Sequence, residues 1–145
     1  MTGPVFVDTN VLVYARDASE PDKQQRANGW MSELWASRRG RLSYQVLTEF
    51  YVTTTRKLRP GLEPAEAESD VRALTAWNPV AIDLRVFEAA WQAQALFSLS
   101  WWDALIVAAA QVSRCRYLLT EDLHAGQDLA GVRVVSPFET SPSEI

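Results

Sequence analysis

Short apolar runs separated by long helical stretches are what most restrict the folds open to this chain. Val5-Phe6-Val7, Val80-Ala81-Ile82, Tyr117-Leu118-Leu119-Thr120 and Val132-Arg133-Val134-Val135 read as strands, with a very short one at Leu42. Between them the spacing is helical. Val11-Leu12-Val13-Tyr14 forms a first apolar face, ended by a polar loop through Ser19-Glu20-Pro21-Asp22. Pro21 suits the first turn of a second helix, with apolar positions at Ala27, Trp30, Met31, Leu34 and Trp35 and a stop near Gly40. Ser43 caps a third helix that aligns Leu42, Val46, Phe50 and Thr53, with Glu49 at the edge of the stripe. Glu63-Pro64 opens a fourth, running to Trp77, and two more cover 84–97 and 102–112. Such alternation predicts an α/β fold, a small parallel sheet flanked by helices. Its 145 residues suit one domain over 1–138, and the segment 139–145, without an apolar period, reads as a flexible tail.

Four acids stand where a charge is costly. Asp8 ends the first strand, Glu49 lies in Val46-Leu47-Thr48-Glu49-Phe50, Asp103 follows Trp101-Trp102, and Asp122 follows Leu118-Leu119-Thr120-Glu121. No Lys or Arg lies within two positions of any of them. A carboxylate against apolar packing needs a partner or neutralisation, and four gathered together call for a divalent cation. Each has an ordinary alternative. Asp8 would serve as a helix N-cap, although Thr9 or Asn10 would cap as well; Ser100-x-x-Asp103 resembles a capping box. Glu49 taken alone reads as a surface residue, and Asp122 as a turn residue with Glu121 as its substitute. Asp8 and Asp122 nevertheless both follow strands, at the carboxyl edge where open α/β sheets place their sites.

Composition excludes several classes. A hydrophobic share of 48% with 22% charged residues is that of a globular protein. One cysteine, Cys115, and one histidine, His124, rule out a disulfide framework and a Cys- or His-built zinc centre, so the oxygen donors favour Mg²⁺ or Mn²⁺. Met1-Thr2-Gly3-Pro4 leads into a strand without a secretion signal, and the run from Ala104 to Ala110 is too short to span a bilayer, so a cytoplasmic location is expected. A net charge of −4 opposes broad electrostatic binding to nucleic acid, but Arg38-Arg39-Gly40-Arg41 and Arg56-Lys57-Leu58-Arg59 leave room for local phosphate contacts. Segments 19–23 and 56–63 are the loops expected to meet substrate or partner. Trp30, Trp35 and Trp91, at helical spacing, are expected in the core.

Asp8-Thr9-Asn10-Val11-Leu12 after a strand, Ser43 through Glu49, Trp102-Asp103-Ala104-Leu105-Ile106 and Leu119-Thr120-Glu121-Asp122 occur in this order. Together they resemble the PIN-domain ribonucleases, and more narrowly the VapC toxins of toxin–antitoxin pairs, from Val5 to about Val135. The resemblance implies a PIN-like three-layer fold and a divalent-metal-dependent endoribonuclease. Asp8, Glu49, Asp103 and Asp122 would be its metal-binding and catalytic acids, with Thr9, Asn10 and Thr120 as supporting polar residues. It further implies Mg²⁺ or Mn²⁺, an RNA substrate cut by metal-activated water, a VapB-like antitoxin and a homodimer. Two readings compete: a PIN-like module that binds a partner or RNA without catalysis, and a phospho-receiver signalling domain. The receiver lacks support, because Thr9 stands where a second acid is needed and no Lys follows Lys57.

Overall fold

The computed structural model describes residues 3–145, so Met1 and Thr2 of the expected domain lie outside the described residues. Five strands form one sheet in the order β2-β1-β3-β5-β4: β1 Val5–Val7, β2 Gly40–Arg41, β3 Tyr117–Leu119, β4 Asp128–Leu129 and β5 Val132–Val135. β1 pairs in parallel with β2 and β3, and β3 with β5, in the register Val5↔Tyr117 and Tyr117↔Arg133. All three residues of β1 are buried, as in a strand covered on both faces, which is why its side chains do not alternate with polar ones.

Helices α1 Thr9–Tyr14, α2 Pro21–Ser37, α3 Tyr44–Val52, α4 Pro64–Leu74, α5 Leu84–Phe97 and α6 Trp101–Val112 flank the sheet. Ser43 caps α3, Asp83 caps α5 and Ser100 caps α6, each accepting a backbone N–H of the first turn. Helix α6 is buried continuously from Ala104 to Ala110, as its apolar composition on every side requires, and it packs on α5, β3 and β5. Its alanines keep the helix narrow enough for that.

Four expectations change. Residues 80–82 form no strand: only a single parallel bridge joins Val80 to Ser43 before the chain turns into α5. The sheet is not wholly parallel, since the two-residue β4 pairs antiparallel with β5, too short to leave a period in the sequence. Helix α2 stops at Ser37 with Arg38 in the left-handed conformation, and Gly40 is already in β2. Gly40 is needed there because a Cβ would lie 2.5 Å from the Trp77 ring. Finally, Trp30 is buried but Trp35 and Trp91 are exposed (41% and 52%): Trp35 packs tilted against the buried Trp77 ring and Trp91 stacks on Trp101, so both stay on the helix surface instead of entering the core. The last residues end in a 3₁₀ turn, Pro142–Glu144, with Ile145 against the core and Trp30 Nε1 donating to the carbonyls of Pro137 and Thr140. Among the described residues no single helix is long and apolar enough to cross a membrane.

Candidate active site

The carboxyl ends of β1 and β3 lie side by side, and the residues that follow them form the site. Asp8 N–H donates to the Leu119 carbonyl at 3.0 Å, carrying the strand pairing one residue beyond β1. Asp8 is then the N-cap of α1, so capping and placement in the pocket coincide: Oδ1 accepts the Thr9 N–H at 2.7 Å. Its Oδ2 accepts the Thr120 hydroxyl at 2.9 Å. Only 7% of Asp8 is exposed.

Asn10 ties the two strand ends together. Its Nδ2 donates to Thr120 Oγ1 at 3.0 Å and to Asp122 Oδ2 at 3.1 Å, while its Oδ1 accepts the Glu121 N–H at 3.4 Å. Thr120 Oγ1 also accepts the Asp122 N–H at 3.1 Å. The Thr120 hydroxyl thus serves to place both Asp8 and Asp122. Thr9 Oγ1, by contrast, is buried without a hydrogen-bond partner.

The electrostatics follow from this burial. The Asp8 carboxyl is pushed up from 3.8 to about 7, chiefly by desolvation, against the hydrogen bonds from Thr120 and Thr9 and with a smaller push from the charges of Asp122 and Glu49. No cation is among the groups acting on it. Glu49 is exposed on α3 and lines a groove of about 840 Å³ with Tyr44, Gln45, Thr48, Ile82, Trp102 and Leu105. Asp103 is half-buried at the third position of α6, its N–H bonded to Ser100 Oγ at 3.2 Å. It is not among the charges acting on Asp8. Among the described residues, no three acidic, histidine or cysteine side chains converge closely enough to form a ready-made metal cage. The donor chemistry nonetheless fits a hard divalent cation: all the acids offer oxygen, a carboxylate is buried without a counter-charge, and Thr9 Oγ1 is unpartnered.

Glu121, the substitute for Asp122, has other partners. Its Oε1 accepts the Tyr14 hydroxyl at 2.6 Å and its Oε2 the Lys23 ammonium at 3.3 Å. Sequence alone does not reveal Tyr14 and Lys23 as the partners of Glu121, because those contacts span 107 and 98 positions. His124 is exposed in the loop beyond.

A family model described as PIN domain matches residues 5–127. The chain belongs to the PIN-domain family. Its matched part includes all four acids. Solved structures with a similar fold include a toxin–antitoxin complex from Klebsiella pneumoniae, with TM-score 0.66 and 22% identity over 94% of this chain and 99% of that one. A DNA-bound VapBC from Salmonella typhimurium aligns with TM-score 0.65 and 15% identity, over 94% of this chain and 99% of that one. The sarcin–ricin-loop-cleaving toxin VapC20 of Mycobacterium tuberculosis aligns with TM-score 0.58 and 24% identity, over 79% of this chain and 86% of that one. At these identities the likeness is one of fold. No curated protein sequence matches at a significant level.

Proposed function

We propose that this PIN domain is a divalent-metal-dependent endoribonuclease and the toxin of a toxin–antitoxin pair. The observation that carries the proposal is the buried carboxylate of Asp8, repelled by Asp122 and Glu49 and lacking a cation. Like charge from Asp122 and Glu49 adds to the cost of a carboxylate that is already desolvated, and a PIN domain that keeps these acids has a use for them. Asp8, Asp122, Glu49 and Asp103 would hold Mg²⁺ or Mn²⁺, which when bound offsets phosphodiester charge and makes water a better nucleophile near neutral pH. The chain's own residues supply position. Thr120 fixes Asp8 Oδ2, and Asn10 holds Asp122 against the same hydroxyl. Thr9 Oγ1 remains available for a further contact. Without a bound cation these acids would repel an RNA backbone.

An antitoxin partner belongs to the same proposal, supported by the toxin–antitoxin complexes among the similar structures. The exposed apolar side chains Tyr44, Leu84 and Trp102 support an interface with a second copy. The deciding experiment is sequencing of RNA 5′ ends after induction of the native chain and of Asp8→Asn. New 5′ ends are expected with the native chain alone. Identical ends from both would remove Asp8 from the reaction. A native chain that produces none and binds no Mn²⁺ in calorimetry would favour the non-catalytic binding module.

A further inference from the structure

Beside the acidic centre lies a second cluster, built from α1, α2, the loop after β3 and residue 138. Tyr14 O–H donates to Glu121 Oε1 at 2.6 Å, and Lys23 Nζ donates to Glu121 Oε2 and to the Tyr14 oxygen, both at 3.3 Å. The ammonium also sits 4.8 Å from the Tyr14 ring centroid and 5.1 Å from that of Phe138, and those two rings meet edge-to-face at 5.2 Å. Lys23 therefore has two aromatic faces and two oxygens fixing a side chain that is ordinarily mobile.

A surface ion pair of this kind contributes little to stability, so stability is a poor account of so many converging contacts. What they do control is Glu121. This residue precedes Asp122, and its side chain is anchored on Tyr14 and Lys23 while its N–H is held by Asn10 Oδ1. The peptide leading to Asp122 is thereby gripped on both sides, one residue before the carboxylate that acts on Asp8. We propose that Tyr14 and Lys23 are positioning residues, which by clamping Glu121 keep it out of the acidic centre and set Asp122 in it. The inference rests on the metal-site reading above, and it assigns the fourth acid to Asp122.

Tyr14→Phe and Lys23→Met each remove one anchor while keeping the apolar bulk. Calorimetric titration of the full chain with Mn²⁺ should show about a tenfold loss of affinity for each, the size expected when the partner of a ligand-bearing segment is removed. Lys23→Arg should restore most of it. In an Asp122→Asn background neither variant should weaken binding further, because the clamp acts through Asp122. Mn²⁺ affinity equal to the native chain's, or an undiminished loss in the Asp122→Asn background, would overturn the inference. A second readout keeps the two proposals apart. In metal-free protein the Asn10 side-chain amide resonances report its bond to Asp122, and they should move toward solvent-exposed values in Tyr14→Phe and Lys23→Met. If the native chain binds no Mn²⁺, the metal-site reading fails while a shift of these resonances still upholds the clamp; unshifted resonances reject the clamp.

Discussion

Replacing Asp8 with Asn should make the metal-free protein more stable above neutral pH, although it removes the proposed central acid. The carboxyl is raised from 3.8 to about 7, roughly 3 units, so holding it ionised in the fold costs about 4 kcal/mol relative to the unfolded chain. Because the folded value lies above the unfolded one, the protonated form's contribution is complete below about pH 4. It is lost as pH rises through about 7. Asparagine carries no charge and escapes that loss. It does not match every contact, however. Thr120 Oγ1 already accepts from Asn10 Nδ2 and from the Asp122 N–H, so the new amide group would face an oxygen with no capacity left. That mismatch costs about 1–3 kcal/mol. A net gain of roughly 1–3 kcal/mol at pH 8 remains, a rise in Tm of roughly 3–8 °C for a chain of this size. Thermal melts of both proteins in EDTA from pH 5 to 8.5 should show the Asn variant ahead at high pH, with the gap closing or reversing toward pH 5. Saturating Mg²⁺ should raise the Tm of the native chain far more than that of the variant. A gap independent of pH, or a variant less stable than the native chain at pH 8, would refute burial and repulsion as the state of Asp8.

Two further outcomes test the packing. Gly40→Ala would place a Cβ 2.5 Å from the Trp77 ring, so chemical denaturation should show a loss of about 1–3 kcal/mol, and an unchanged midpoint would mean that Trp77 can move aside. Burial lifts the Cys115 thiol to about 11, so it should react with a thiol-specific disulfide reagent at pH 8 only as fast as the protein opens. Labelling at the rate of a free peptide thiol would show that Cys115 is accessible.

Periodicity is a local property, and what it governs was legible in the residues. The strands at Val5, Tyr117 and Val132, the six helices and the all-round burial of α6 follow from which neighbours are apolar. So does the location of Asp8 and Asp122, since a polar residue that ends a buried strand can emerge only at the sheet's carboxyl edge. Folding in three dimensions decided the rest. The Thr120 hydroxyl meets Asp8 across 112 positions because β1 and β3 are neighbours in space, a pairing that neither segment encodes alone. Trp35 and Trp91 share the helical spacing of Trp30, yet only packing settles which indole goes inside. Glu121 and Asp122 are chemically almost alike and adjacent in sequence. One meets Tyr14 and Lys23 and the other meets Asn10, because helices α1 and α2 bring those donors to one place.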